Sequence, residues 1–276
     1  MLSRVPDAAA KKHGAILPLK VGISPVNLAF EMKVASDYFV PERDWFNRPV
    51  LEIAPLLPGA LLTHTTPDGA VTIRIVEVEA YDGERDPGSH AYRGLTDRNK
   101  TMFGPGGHLY VCRHMGLHVC ANIVSGPEGW GCGTLLRAGE VVDGIELARH
   151  RRNAAGVSRA DVDLAQGPAR LTVALGIKPD DDGADILTPS SNFYLEIPQA
   201  SVETLSSPAR ERKSRVSKPR SHQYPQIVCG PRVGVSGEGG RADLYPWRFW
   251  LKDDPHVSTY KPAPPPRRPE NRAQPL

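Results

Sequence analysis

The sequence lacks long apolar stretches and internal repeats. A membrane-spanning helix needs roughly 18 or more consecutive apolar residues, so the 276-residue chain is not expected to cross a membrane. The absence of a repeat argues against a solenoid. Hydrophobic residues make up 40% and charged residues 24%, which is enough apolar material for a core. We therefore expect a soluble globular protein.

The net charge is also small, and cysteines are few. The 34 Lys and Arg residues face 31 Asp and Glu, so the net charge is only +3, and any attraction to nucleic acid must come from local basic clusters. Lysines interrupt the apolar stretches near the N-terminus, which does not fit a signal peptide. We expect reduced thiols in a cytoplasm for the four cysteines, which are Cys112, Cys120, Cys132 and Cys229.

Three segments differ in composition from the rest of the chain. Residues 1–36 show no sustained apolar period, and we expect a poorly ordered N-terminal extension. Residues 261–276 hold six prolines and three arginines, which predicts a disordered tail. Residues 208–222 hold six basic side chains and one Glu, which predicts a basic surface insertion, with or without a phosphate partner. Residues 37–260 form the predicted domain.

Residues 71–80 are rich in β-branched side chains and alternate with a period of two, which predicts a strand. This period places the odd-numbered residues from Ile73 to Glu79 on one face. It places the even-numbered residues from Val76 to Ala80 on the other face. The prediction is therefore a strand that carries two carboxylates near its end.

Further short elements follow this strand. Asp143 and Glu146 form a predicted capping pair before a helix, and Gly167-Pro168 opens a second helix that Gly176 closes. Strands are predicted at 107–112 and 117–124, joined by a turn, and at 134–138, where the strand is shorter. Mixed elements with many turns predict one α+β domain with antiparallel pairing.

Two carboxylates offer the first chemical signal. Glu77 and Glu79 lie two residues apart on one predicted face, hence roughly 6.5–7 Å along the strand. Paired carboxylates suit the cleavage of glycosidic bonds, although the solvent face of a strand gives the same pattern. The loop that follows presents Tyr81 and His90 beside them, so we predict a site at this end of the strand.

The order of motifs resembles that of the alkyladenine (3-methyladenine) DNA glycosylases, over about residues 36–260. The run Ile75-Val76-Glu77-Val78-Glu79-Ala80-Tyr81, with His90 eleven residues after Glu79, carries the resemblance first. Six later motifs keep the family's order, and their number makes coincidence a poor explanation. They are Gly107–Val111, Cys120–Asn122, Leu135–Glu140, Gly167–Leu171, Gly230–Gly234 and Tyr245–Phe249.

The resemblance implies roles for five residues. Glu79 matches the residue that activates water, and Arg137 the one that helps to orient it. Tyr81 matches the residue that stacks on one face of a base extruded from the duplex, and His90 the residue on the opposite face. Asn122 matches a group on the pocket floor that excludes the amino group of guanine. Glu77 receives no role and is interpreted as structural.

Two positions depart from the family pattern. Cys112 stands where a second aromatic ring would stack on the base, and losing a stacking face worth about 1–3 kcal/mol predicts a base-release rate roughly ten- to hundredfold lower. Met115 stands where the wedge that enters the DNA minor groove is expected, and methionine can serve as such a wedge. The implied fold is a single mixed domain around a curved, open-barrel-like antiparallel sheet, with Met115 on a DNA-intercalating hairpin.

The predicted function is base-excision repair in the bacterial cytoplasm, at the nucleoid. The substrates are alkylated purines in double-stranded DNA, namely 3-methyladenine and 7-methylguanine, with the deaminated base hypoxanthine as a further candidate. Because water is the implied nucleophile, the enzyme is expected to be monofunctional, without lyase activity or cofactor, and monomeric. The alternative is a non-catalytic or weakly active relative that binds damaged DNA, since Cys112 alters the pocket.

A metal site is the competing interpretation of the hairpin region. Histidines and cysteines cluster there, and two of the histidines are four residues apart, as in some zinc sites. However, no standard Cys-x-x-Cys pair is present, and the predicted strands scatter the side chains over both faces. We expect no metal site from these residues, which are His108, Cys112, His114, His118, Cys120 and Cys132.

Overall fold

A computed structural model describes residues 37–114, 116–156, 158–201 and 225–263. Four sequence predictions fall on residues outside these ranges. They concern the extension at 1–36, the wedge Met115, the basic insertion at 208–222 and all but the first three residues of the tail.

The described ranges contain nine strands and three α-helices, with single turns of 3-10 helix between them. The helices are α1 (Val50–Ile53), α2 (Ile145–Ala155) and α3 (Pro168–Leu175). The strands are β1 (Tyr38–Phe39), β2 (Leu61–Thr66), β3 (Gly69–Asp82), β4 (Leu109–His114), β5 (His118–Val124), β6 (Cys132–Asp143), β7 (Phe193–Pro198), β8 (Ile227–Gly230) and β9 (Arg248–Leu251).

Seven strands follow one another in an antiparallel sheet in the order β1-β7-β2-β3-β6-β5-β4, and β9, paired with β8, joins the same sheet beside β3. The long strand β3 lies at its centre: β2 pairs with its first half, β9 with residues Glu77–Glu79, and β6 with most of its length. The sheet does not close on itself, and β4 and β5 form a hairpin at one end. This architecture confirms the predicted α+β class with antiparallel pairing.

The pairing of β3 with β6 is interrupted by bulges beside the predicted carboxylates. Ile75 pairs with Gly139 and Glu77 with Ala138, so Val76 has no partner across the strands. The next pair joins Val78 to Leu136, so Arg137 is skipped on β6. A bulge adds one residue to one strand and redirects the side chains that follow it.

The bulge at Val76 corrects the predicted faces of β3. Ile73 and Ile75 lie in the main core, and after the bulge it is Val78 and Ala80 that lie there. The prediction that the two glutamates share a face with Ile73 and Ile75 is therefore wrong. Val76 was also placed wrongly, since it packs in a small separate cluster with Ala138 and Leu251.

Two further predictions need correction. The helix α2 begins after Gly144, which adopts a φ of +71°, and no side chain caps it, so the pair Asp143 and Glu146 is not a capping pair. A Cβ on Gly144 would lie 2.2 Å from the Ala70 carbonyl oxygen, which explains the need for glycine. The strand predicted at 134–138 runs from Cys132 to Asp143, because it pairs with nearly all of β3. The helix between Gly167 and Gly176 is confirmed.

The core lies between the sheet and the helices. The helices α2 and α3 pack against each other, and α3 also packs on β5 and β6. A second apolar cluster lies beneath the β4–β5 hairpin and contains Tyr110, Cys112 and Cys120. No helix in the described ranges is both long enough and apolar enough to cross a bilayer. The fold thus leaves β3 buried on both faces where its carboxylates lie.

Candidate active site

The centre of the site is the carboxylate of Glu79, which is fully buried. Its Oε1 accepts a hydrogen bond from the Val233 amide at 2.6 Å. Its Oε2 accepts one from the Tyr81 hydroxyl at 2.9 Å and one from Arg137 Nη1 at 3.4 Å. A buried carboxylate needs such partners, since an unpaired buried charge is strongly unfavourable.

Glu77 is equally buried and holds the cations of the site. Its Oε1 accepts from Arg248 Nε at 2.6 Å and from Arg137 Nε at 3.2 Å, and its Oε2 accepts from the Ser258 amide at 2.8 Å. The solvent-face explanation considered for the two glutamates is therefore wrong. Glu77 fixes Arg137, which agrees with the structural role given to it.

Arg137 links the two carboxylates. It lies at the bulge of β6, and its guanidinium contacts Glu77, Glu79 and, at 3.4 Å, the hydroxyl of Ser258. The bulge directs this side chain toward the same side as the glutamates of β3. The two bulges therefore bring one cation between two anions on neighbouring strands.

The electrostatics of the network favour proton transfer at Glu79. Burial raises the pKa of Glu79 above its ordinary value, and the charge of Arg137, the Val233 amide and the Tyr81 hydroxyl oppose the rise. Burial and the neighbouring Glu79 charge raise the pKa of Tyr81 well above its usual value, so the phenol stays protonated and donates its hydrogen bond. A carboxylate with a raised pKa is a stronger base than an ordinary one.

A cleft opens beside this network. Four of the predicted base-binding residues line it together: Tyr81, His90, Cys112 and Asn122. The cleft is also lined by Gly88, Met102, Tyr110, His114, Cys120 and Leu135. Its wall combines apolar and polar side chains, as the walls of ligand pockets do. Glu79 does not line the cleft itself but contacts its wall through Tyr81.

His90 lines the cleft beside Tyr110 and Cys112 of β4. Its Nδ1 is 3.3 Å from the Tyr110 hydroxyl, and the two rings are perpendicular with centroids 6.3 Å apart. Loss of water around the ring, together with the charges of Arg98 and His114, lowers the pKa of His90. The imidazole is therefore neutral at neutral pH, and each nitrogen can serve a different hydrogen-bonding role.

The thiols in the cleft are protonated. Cys112 Sγ lies 4.0 Å from His90 Nδ1, and burial raises the pKa of Cys112. Burial likewise raises the pKa of Cys120, its partner across the hairpin, to about 12. Because the thiolate is the reactive form, neither side chain is suited to nucleophilic attack at neutral pH. Within the described ranges, no three His, Cys, Asp or Glu side chains are arranged to hold a metal ion.

Asn122 lines the cleft and is buried, and its amide nitrogen donates to the Tyr110 carbonyl oxygen at 3.2 Å. This bond fixes the side chain against β4. Asn122 is paired across the strands with Leu135 and Tyr110, so β4, β5 and β6 together position it.

Four residues of the site were missed by sequence reasoning. Asp86 and Arg232 form a buried ion pair beside Tyr81, and Arg248 and Ser258 hold Glu77. Both arginines lie inside motifs that carried the family resemblance, and Arg248 stands there beside aromatic side chains. That position was the available signal, whereas nothing local to Asp86 or Ser258 marks them.

Comparison with known proteins decides the family. The family described as methylpurine-DNA glycosylase matches residues 44–255. The chain belongs to the methylpurine-DNA glycosylase family. The matched region contains Glu79, Arg137 and every residue that lines the cleft.

Relatives named "Putative 3-methyladenine DNA glycosylase" resemble most of the chain. The Streptomyces avermitilis protein is 46% identical over 237 residues, which are 86% of this chain and 99% of that protein. The Leifsonia xyli protein is 46% identical over 226 residues, 81% of this chain and 94% of its own length. The Nocardia farcinica protein is 42% identical over 215 residues, 76% and 88% of the two chains. The family resemblance predicted from the motifs is confirmed.

Proposed function

We propose that this member of the methylpurine-DNA glycosylase family removes alkylated purines from double-stranded DNA. The observation that carries the proposal is the contact of a buried, arginine-paired Glu79 with Tyr81, which lines the cleft. The substrates are 3-methyladenine and 7-methylguanine, with hypoxanthine as a further base. The protein acts as a monomer, without a cofactor, in the cytoplasm at the nucleoid.

In this mechanism the damaged nucleotide rotates out of the duplex and its base enters the cleft. Tyr81 stacks on one face of the base, and His90 lies against the other. An electron-poor alkylated purine stacks on an aromatic ring more strongly than a neutral base does. Asn122 lies at the floor, where it excludes the amino group of an undamaged guanine.

Glu79 then accepts a proton from a water molecule as the bond between the base and the sugar C1′ breaks. The water oxygen bonds to C1′, the bond electrons leave with the base, and Arg137 holds the carboxylate in place. Glu79 is sealed from solvent here, so the DNA-bound state must admit one water to it. With water as nucleophile, the product is an abasic site in an unbroken strand.

Single-turnover base release tests this proposal. Duplexes that contain hypoxanthine, and methylated duplexes, are incubated with the wild type and with Glu79→Gln. We expect release by the wild type and a rate about 10²–10⁴-fold lower in the variant, since a general base contributes on that order. The control is Glu140→Gln, which makes the same chemical change at a partly exposed pair with Arg74.

Three other results would speak against parts of the proposal. Equal rates for the wild type and Glu79→Gln would remove Glu79 as the base. Strand nicking by the pure protein would overturn the monofunctional assignment. No release by the wild type, with damage-selective binding retained, would favour the alternative of a non-catalytic binding protein with a pocket altered by Cys112.

A further inference from the structure

A buried cation lies against the ring of Tyr81. Arg232 is only 2% exposed, and its guanidinium carbon lies 4.6 Å from the centroid of the Tyr81 ring. The same guanidinium lies 5.4 Å from Trp247 and 5.7 Å from Tyr245. Three aromatic rings thus surround one cation at distances typical of cation–π contacts.

This cation is neutralised by a single carboxylate. Arg232 Nη2 donates to Asp86 Oδ1 at 2.8 Å, and Nη1 contacts the other carboxylate oxygen, so the pair is bidentate. The carbonyl oxygens of Ala80 and Gly239 accept from the guanidinium at 2.9 and 2.7 Å. Both charged side chains are fully enclosed. Their mutual attraction is therefore little screened by solvent.

The pair and the cleft share Tyr81. The ring lines the cleft, whereas the buried guanidinium, which lies over the same ring, does not line it. Gly88 lies at the edge of both, since a Cβ there would lie 2.6 Å from Arg232 Nη2. A base stacked on Tyr81 would therefore share that ring with the guanidinium, whose carbon lies 4.6 Å from the ring centroid.

A bare cation at this distance would repel a positively charged base and would draw electron density away from the stacking face. N-alkylation at N3 of adenine or N7 of guanine gives the nucleobase in DNA a positive charge, whereas hypoxanthine is neutral. Asp86 cancels most of the field of Arg232. The ion pair therefore supports the Tyr81 ring without penalising a cationic substrate.

We infer that the Asp86–Arg232 pair keeps the surroundings of Tyr81 electrically balanced, so that the cleft does not disfavour a cationic purine relative to a neutral one, with both residues acting as positioning residues through Tyr81. The inference rests on the proposed function and extends it to specificity. It predicts that removing the charge of Asp86 and removing the charge of Arg232 shift the substrate preference in opposite directions.

The experiment measures single-turnover release of 7-methylguanine and of hypoxanthine from matched duplexes. In Asp86→Asn the uncompensated cation should lower the ratio of the 7-methylguanine release rate to the hypoxanthine release rate about tenfold. In Arg232→Gln the remaining carboxylate should raise that ratio. The double variant Asp86→Asn/Arg232→Gln carries neither charge and should return it to the wild-type value. The control Asp254→Asn alters another arginine-paired carboxylate, which does not line the cleft, and should leave the ratio unchanged.

A ratio that stays constant in both single variants, while both rates fall together, would overturn the inference and leave the pair a purely structural support. The preference is also measured without catalysis, as the ratio of the affinities of each variant for the 7-methylguanine duplex and the hypoxanthine duplex. If the wild type releases neither base, the proposed function fails, but a binding preference that shifts in opposite directions in the two single variants would still support the inference. An unshifted binding preference would contradict it.

Discussion

The two halves of the continuous strand β3 differ in the burial of their polar side chains. From Gly69 to Ile75 the strand alternates regularly, with Val71 and Ile73 in the core and polar side chains such as Arg74 toward solvent. From Val76 to Ala80 every residue is fully buried, including two glutamates. The first half stabilises the fold in the ordinary way, whereas the second must compensate each charge with a partner from another element.

This difference points to chemistry as the reason for the second half. A buried ion pair is weak evidence for stability, because well-packed apolar residues of similar volume often do as well or better. The cluster of Glu77, Glu79, Arg137 and Arg248 is therefore an expensive arrangement for a fold alone. The proposed role of Glu79 as a general base beside the cleft accounts for it, because burial raises the pKa of Glu79 and a higher pKa makes a carboxylate a stronger base.

The strongest test of the comparison is Glu77→Gln. The change removes the anion that holds Arg248 and Arg137, so two buried cations lose a charged partner. We expect the free energy of unfolding to fall by about 3–5 kcal/mol. Base release per folded molecule should fall as well, because Arg137 loses one of its anchors. Urea titration gives the free energy of unfolding, and single-turnover kinetics give the rate of base release. A loss of stability below about 1 kcal/mol, which is typical of an exposed pair, would contradict the difference between the two halves of β3.

The cleft next to the second half is tested by Cys112→Tyr. A ring at this position would supply a stacking surface for the base in addition to Tyr81, and the thiol that it replaces lies 4.0 Å from His90 Nδ1. We expect single-turnover release to rise by about ten- to hundredfold, which corresponds to stacking of about 1–3 kcal/mol. Cys112→Ser serves as the control without a ring. An unchanged or lower rate would indicate a pocket that has been rebuilt around the thiol.

The smallest loss of stability is expected from a change beside the first half of β3. Glu140→Gln weakens a pair with Arg74 in which both side chains are partly exposed, 34% and 25%. Such pairs contribute about 0–1 kcal/mol, and Arg74 keeps Asp254 as a second partner. Urea unfolding should therefore show a loss of no more than about 1 kcal/mol, with base release unchanged. An effect as large as that of Glu77→Gln would mean that the two halves do not differ as described.

The alternation predicted the strand β3, because it is a local property, whereas the residues that meet in the cleft were found through the resemblance of the motifs. The partners β2 and β9 were not predicted. The sequence did not predict the face of the glutamates, because the bulges at Val76 and Arg137 depend on how β3 pairs with β6. Nor did it predict their burial. The arginine that holds Glu77 most closely, Arg248, lies 171 residues away in the chain.

The misassigned helix start has the same origin. Asp143 and Glu146 have the spacing of a capping pair, but Asp143 still belongs to β6 and pairs with Thr72. Gly144 makes the turn with a positive φ, and the tight approach of the Ala70 carbonyl excludes any other residue there without rearrangement. A tertiary contact thus decided where the helix begins.

The pH dependence of single-turnover hypoxanthine release tests the central claim most directly. Hypoxanthine keeps the substrate neutral, so the profile reports the protein. Only the carboxylate form of Glu79 accepts a proton, and burial raises its pKa, so release should fall about tenfold per pH unit on an acid limb that begins above the ordinary glutamate pKa. In Glu79→Gln the residual rate should lose this limb. A wild-type profile without an acid limb, or the same limb in Glu79→Gln, would contradict the assignment of Glu79 as the base.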